Sequence, residues 1–135
     1  MNDESIDTIV GGGAARPSTR FLLAVWALGG AIARVAADAT PIGDRSAPFL
    51  LEIAATWNDA TETDRNIGWV REVFETMHRF SSGKINLNFS GAGEDDEQLV
   101  RAAFGLHYPL LAAVKQAYDP TNMFRLNQNI ATIAT

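Results

Sequence analysis

The sequence contains no cysteine and only two histidines, His78 and His107. Without cysteine there are no disulfides, thiolate nucleophiles, cysteine-ligated zinc sites or iron–sulfur clusters. The histidines do not have the spacing of a metal-binding motif, so we expect no metal site. Basic residues are also scarce. The chain has 11 lysines and arginines against 16 acidic residues, and its net charge of −5 argues against nucleic acid as a partner.

Long hydrophobic runs are missing as well. The longest apolar stretch, FLLAVWALGGAIA, lies between Arg20 and Arg34 and is shorter than the roughly 20 residues of a membrane-spanning helix. The acidic start MNDESIDTIV lacks the basic and apolar segments of a signal peptide, so we expect a soluble, cytoplasmic protein with no membrane partner. An apolar content of 47% over 135 residues predicts a real hydrophobic core in one domain or part of one.

Three stretches have the residue pattern of β-strands. RFLLAVWAL carries apolar residues on both faces, which predicts a strand covered on both sides, and AIARVA is compatible with its continuation after Gly29-Gly30. FLLEIAATW predicts a second strand. INLNF alternates strictly and predicts a short third strand with Asn86 and Asn88 on one side.

Helical periodicity dominates the rest of the chain. Apolar residues recur at three- and four-residue steps from Asp64 to about Arg79, and EDDEQLVRAAF and HYPLLAAVKQAY predict two further helices. ESIDTIV predicts a short helix that ends at the three glycines Gly11–Gly13; a phosphate-binding loop is the weaker interpretation because no Lys-Ser or Lys-Thr follows. The predicted class is α+β, an antiparallel sheet with helices packed on one face.

The segment from Tyr118 to Ile130, YDPTNMFRLNQNI, closely resembles the C-terminal signature of berberine-bridge-enzyme-like, FAD-linked oxidases. VRAAFGLHYPLLAAVKQAYDP resembles the paired helices of that family, and the earlier strands resemble part of its substrate domain. The resemblance implies a partial substrate domain over residues 1–82 and a berberine-like C-terminal segment over residues 83–135. It also implies oxidation of an alcohol or amine by hydride transfer to FAD, with the FAD held mainly by a separate domain or chain.

The sequence departs from the family pattern at the residues that bind the flavin covalently and deprotonate the substrate. On this resemblance, the 135 residues are expected to lack the N-terminal FAD domain of the family, and they contain no cysteine to form its covalent flavin link. Asn86 stands where the family motif Tyr-x-Asn has a tyrosine that helps to deprotonate the substrate. Because an amide is not a base near neutral pH, the catalytic residue stays unassigned.

Candidate binding residues follow from the same resemblance. Asn88, Asn127 and Asn129 are candidates for holding the polar edge of a flavin, since an amide offers both donors and acceptors. Their alternative role is to satisfy backbone groups in turns. Trp26 is a candidate for lining a small-molecule substrate cleft, with a place in the core as its alternative.

Three functions remain open at this point. The chain is either the C-terminal portion of an FAD-dependent oxidoreductase that acts with an FAD-domain partner, or a non-catalytic remnant that dimerises or binds a partner. The third possibility is a small ligand-binding α+β domain. A partial domain should leave apolar strand faces exposed, so the partner is expected to be an FAD-domain chain or a second copy of this chain.

Overall fold

A computed structural model describes residues 1–42, 45–89, 91, 97–126 and 128–131. The described residues form helices and strands in the order α1 (Asp3–Ala14), β1 (Phe21–Ala27), β2 (Phe49–Ala55), α2 (Thr63–His78), α3 (Glu97–Phe104) and α4 (Tyr108–Tyr118). The chain divides into two compact units. The first combines Met1–Leu28 with Phe49–Gly83, and the second combines Gly29–Pro48 with Lys84–Thr135. The predicted boundary between a partial substrate domain over residues 1–82 and a berberine-like C-terminal segment over residues 83–135 remains a prediction.

The sheet of the first unit confirms the predicted α+β class and its antiparallel pairing. Strands β1 and β2 pair so that Leu23 lies opposite Ile53 and Trp26 opposite Leu50. One face of this sheet meets the helices, because the Phe21 ring packs edge-on against Trp69 at 5.6 Å between centroids. The other face lacks such cover within the described residues, so the expectation that β1 is covered on both sides was wrong.

Helix α1 does not end at the glycines, which corrects the prediction for Gly11–Gly13. It begins with a capping box between Asn2 and Ser5 and continues to Ala14. The glycines lie inside the helix because tertiary contacts outweigh their low helix propensity. A Cβ at Gly12 would lie 3.0 Å from a Val73 methyl group, and the Gly12 carbonyl accepts a 2.9 Å hydrogen bond from Trp69 Nε1. Glycine therefore allows α1 to lie close against α2.

Helix α2 (Thr63–His78) confirms the helix predicted from Asp64 to about Arg79, although Phe74, one of the recurring apolar residues behind that prediction, is 45% exposed. Its buried positions are Asn66, Trp69 and Val73. These three lie at three- and four-residue steps, which places them along one side of the helix. This side forms the buried centre of the first unit.

The second unit is built on α3 and α4, both of which were predicted. Gly105, with a φ of 51°, ends α3 and opens a one-turn connection, Gly105–His107, into α4. The buried cluster consists of Val100, Tyr108 and Ala112, with Leu87, Phe104 and Ile130 packed around it. Residues from both helices share one core with Ile130, which lies in the part of the chain after α4; we call the described residues from Asp119 to Ala131 the closing segment.

Two of the predicted strand segments are not strands. INLNF contains a single 3₁₀ turn, Leu87–Phe89, because the Asn86 side chain accepts the backbone N–H of Asn88 at 3.1 Å and favours a turn over a ladder. AIARVA forms turns after Gly30, whose φ of 66° bends the chain away from β1. In the ranges described above, no helix is long and apolar enough to cross a membrane.

Candidate functional site

The closing segment is fastened to α4 by a polar latch, which consists of Lys115, Asp119 and the backbone of Met123 and Phe124. The Asp119 carboxylate pairs with the Lys115 ammonium group and accepts the N–H groups of Met123 at 2.7 Å and Phe124 at 3.0 Å. Lys115 Nζ also donates to the Phe124 carbonyl at 2.6 Å. The hydrogen bond from Lys115, followed by those from the two backbone N–H groups, lowers the pKa of Asp119.

The latch works because the chain turns sharply after α4. The helix ends at Tyr118, before Pro120, as the sequence predicted. Asn122 then adopts a left-handed conformation with a φ of 52°, which asparagine tolerates better than most residues. Its N–H donates to the Asp119 carbonyl at 3.0 Å. The turn brings the backbone of the closing segment back to the Asp119 carboxylate.

Tyr108 holds the far end of the same segment. Its hydroxyl accepts the N–H of Ala131 at 3.4 Å, and the neighbouring Ile130 packs against the cluster that contains Tyr108. The Arg101 guanidinium lies 4.2 Å from the centre of the Tyr108 ring. Since Tyr108 is itself buried, this anchor fixes the backbone just after Asn129 to the core of the second unit.

Asn129 presents a buried acceptor in this fixed backbone. Its Oδ1 atom is shielded from water and has no hydrogen-bond partner within the described part of the chain. A buried acceptor of this kind costs free energy, of the order of 1–3 kcal/mol, until a donor reaches it. Among the described residues, the side-chain oxygens of Asn66, Gln116 and Asn122 are in the same state. What distinguishes Asn129 is its position beside the Tyr108 anchor, where its oxygen is suited to accept an N–H or O–H group.

The other predicted amides lie in three different situations. Asn86 uses its side-chain oxygen to close its own turn by accepting the Asn88 N–H. Asn88 is exposed and follows Leu87, which packs on the same cluster as Ile130, so the structure brings the neighbours of Asn88 and Asn129 to one core. Asn127 lies outside the described residues.

Trp26 belongs to the first unit and lies on the sheet face away from the helices. About half of its surface is exposed, and its Nε1–H donates to Glu52 Oε2 at 2.9 Å across the strand pair. Leu50, directly opposite Trp26, shares this face. Sequence reasoning missed Glu52, although its place in the middle of an apolar strand was a signal. The face combines apolar surface, a fixed indole and a carboxylate.

The C-terminal part of the chain, residues 85–131, matches the family model described as berberine and berberine like. The uncharacterized FAD-linked oxidoreductase YvdP of Bacillus subtilis is 30% identical over 118 residues, which cover 87% of this chain and 25% of YvdP. This chain belongs to the berberine-bridge-enzyme-like family. The monolignol oxidoreductase AtBBE-like 13 of Arabidopsis thaliana is 28% identical over an alignment of 123 positions, and the match covers 82% of this chain and 23% of that protein.

Two solved structures share the fold of this chain. A variant of Physcomitrella patens BBE-like 1 superposes with a TM-score of 0.82 at 17% identity, and the match covers 100% of this chain and 28% of that one. A chitooligosaccharide oxidase gives a TM-score of 0.70 at 20% identity, over 99% of this chain and 31% of its own. The family resemblance of the tail is confirmed. The chain spans about a quarter of the length of the curated relatives it matches.

Proposed function

We propose that this chain supplies the C-terminal portion of an FAD-linked oxidoreductase and works with polypeptide that carries the FAD-binding domain. The family membership and the name of the YvdP relative, FAD-linked oxidoreductase, support this function. On this proposal the relatives' remaining three quarters, which the chain does not span, correspond to the part that binds most of the cofactor. Bound FAD would accept a hydride from an alcohol or amine substrate.

The single observation that carries the proposal is the acceptor at Asn129. The isoalloxazine ring of FAD has a polar edge with one N–H donor between two carbonyl acceptors. The Asn129 amide offers the matching acceptor, and its Nδ2 group adds donors. The unpaired, buried oxygen of Asn129, held on an anchored backbone, fits the N–H donor of the isoalloxazine ring. Asn88 and Asn127 remain candidates for the same edge.

The open sheet face supports a substrate role for the first unit. Trp26 and Leu50 provide apolar area, and the hydrogen bond from Trp26 to Glu52 fixes the orientation of the indole. Small-molecule sites generally combine apolar walls with a few placed polar groups. We therefore keep Trp26 as a substrate-lining residue and add Glu52, whose carboxylate would orient a hydroxyl or ammonium group.

The test is co-expression with an FAD-domain polypeptide, followed by an absorbance spectrum of the purified complex. The Bacillus subtilis YvdP polypeptide without its matching part is a suitable partner. We expect flavin bands with the wild-type chain and at least about a tenfold weaker retention of FAD with Asn129→Leu, because the replacement leaves the donor without an acceptor. Asn58→Leu is the matched control, since Asn58 is exposed and contacts Arg20 in the first unit. Equal retention in both variants would exclude the role of Asn129.

A non-catalytic partner-binding module is the second candidate. The observation in its favour is Asn86, whose side chain is engaged in a local turn where the family motif has tyrosine. A complex that binds FAD stoichiometrically, yet whose flavin is not reduced by any alcohol or amine substrate of the relatives, would favour this candidate. Substrate-dependent bleaching of the flavin would exclude it.

A further inference from the structure

The two-stranded sheet of the first unit has two outer edges, one along β1 and one along β2. In an antiparallel pair, every second residue bonds the residue opposite, and the residues between turn their N–H and C=O groups outward. The Thr56 N–H donates to the carbonyl of Arg20, which lies directly opposite when the register is extended by one residue. Even-numbered residues of β1 therefore bond β2, whereas the odd-numbered ones, such as Leu23 and Val25, turn their backbone groups to the outer edge.

The outer edge of β1 lacks the features that usually keep an edge strand from pairing. The strand, FLLAVWA, contains no charged residue and no proline. Among the described residues, no other strand pairs with this edge. Its side chains are open as well, because Val25 is 41% exposed and Trp26 is 51% exposed. An exposed, uncharged edge of seven residues is a template for a further strand.

The outer edge of β2 differs because Glu52 lies at the centre of that strand. If two copies met antiparallel about this centre, their Glu52 carboxylates would lie directly opposite each other, and like charges in that position are destabilising. The same arrangement along β1 places Ala24 opposite Ala24 of the second copy, with uncharged residues throughout. It also pairs odd-numbered with odd-numbered residues, so the outward backbone groups of the two strands meet. The edge of β1 is therefore complementary to itself.

We infer that two copies of this chain associate through the outer edges of β1, in an antiparallel pairing centred on Ala24, to form one sheet that contains both strand pairs. Across this pairing, Leu23 exchanges backbone N–H···O=C hydrogen bonds with Val25 of the second copy, and Val25 does so with Leu23. A ladder of seven residues is short for a stable interface, so the dimer dissociates on dilution. The inference concerns the chain by itself and does not rest on the proposed function.

The register of this pairing can be tested by cross-linking, because the chain contains no cysteine of its own. Ala24→Cys places two thiols opposite each other at a non-hydrogen-bonded pair, whose Cα atoms are about 4.5 Å apart and within the range of a disulfide. Ala54→Cys on β2 is the matched control, since Ala54 lies on the same sheet face and both alanines are half-buried. Under mild oxidation, we expect Ala24→Cys to form a covalent dimer at least about tenfold faster than Ala54→Cys on non-reducing electrophoresis.

Sedimentation velocity over a range of concentrations measures the association without a covalent bond. Val25→Pro removes an outward N–H from the β1 edge, where proline is tolerated because no bond to β2 is lost. Phe49→Pro makes the same change at the β2 edge and is the control, since Phe49 is 43% and Val25 41% exposed. We expect Val25→Pro to weaken self-association at least about tenfold and Phe49→Pro to leave it unchanged.

Circular dichroism checks that the proline variants keep their fold; if Val25→Pro unfolds, the comparison of the two cysteine variants decides. Selective cross-linking of Ala24→Cys supports the inference, as does a concentration-dependent wild-type dimer that Val25→Pro weakens. Equal cross-linking of both cysteine variants would overturn it. So would a wild-type chain that stays monomeric at every concentration, or an association that Phe49→Pro disrupts and a folded Val25→Pro does not.

Discussion

The crossing of α1 over α2 gives a pair of substitutions with opposite expected signs, Gly11→Ala and Gly12→Ala. Both glycines lie inside α1, so each alanine should gain helix propensity. A Cβ added at Gly11 meets nothing within 4 Å, whereas one at Gly12 lies 3.0 Å from Val73 Cγ2 and 3.4 Å from Val73 Cγ1. The two variants therefore share one effect on the unfolded chain and differ only in one contact.

The magnitudes follow from that contact. Replacing a helical glycine with alanine gains about 0.5–1 kcal/mol. Val73 is buried, and a valine in a helix has one strongly preferred rotamer, so it cannot turn aside from the new methyl group. Overpacking of this kind costs about 1–3 kcal/mol. We expect Gly11→Ala to raise the free energy of unfolding by up to about 1 kcal/mol and Gly12→Ala to lower it by about 0.5–2 kcal/mol.

Urea unfolding followed by circular dichroism measures both values, at several protein concentrations so that association does not contribute. The same substitutions in a Val73→Ala background complete a double-mutant cycle. In that background Gly12→Ala should lose its penalty, whereas Gly11→Ala should keep its gain. Equal stabilities of the two single variants, or a penalty at Gly12 that survives Val73→Ala, would refute the account of why α1 contains glycines.

Three further predictions concern the latch, its anchor and the sheet face. The pKa of Asp119 is lowered in the folded chain, so the latch contributes its full stabilisation above the ordinary aspartate pKa and loses it as the pH falls through the lowered value. The protection of the Phe124 amide against hydrogen exchange, corrected for the rate of an unprotected amide at each pH, should therefore decrease as the pH falls through that value. Asp119→Asn should decrease this protection at neutral pH. An Asp119→Asn variant with unchanged exchange would contradict this. Tyr108→Ala should lower the free energy of unfolding, measured in urea, by about 3–5 kcal/mol, because it removes the largest side chain from the core of the second unit. Tyr108→Phe should lower it by about 1 kcal/mol or less. Similar losses in the two variants would rule out a packing role for the ring. Glu52→Ala should change the fluorescence of Trp26 with little effect on stability, since their hydrogen bond is exposed; an unchanged spectrum would speak against that bond.

The sequence predicted the elements whose pattern is local. Helix α2, both strands of the sheet, and the end of α4 before Pro120 followed from periodicity and breakers alone. The three glycines of α1 were misread because the contact that calls for glycine at position 12 is with Val73, more than fifty positions away along the chain. INLNF alternates like a strand, yet the Asn86 side chain competes for the backbone. Rules based only on hydrophobic periodicity and residue propensity predict neither of these two effects.

The candidate site was predicted by residue type rather than by arrangement. Asn129 was singled out from its amide and the family resemblance, but its buried, unpaired oxygen depends on Tyr108 and the latch, which fix the segment at both ends. Glu52 was overlooked because only the strand register places it within reach of Trp26. Register and anchoring arise from contacts distant in sequence, so composition and spacing alone do not determine them.

The interleaved connectivity of the two units bears on how the chain is made. Residues 29–48 belong to the same unit as residues 84–131, and the His107 ring nitrogen lies 2.8 Å from the Ala37 carbonyl. During synthesis residues 29–48 leave the ribosome well before their partners exist, while the first unit has all its segments once residue 83 has emerged. The first unit can therefore fold during translation, whereas residues 29–48 can pack only after α3 and α4 have been translated.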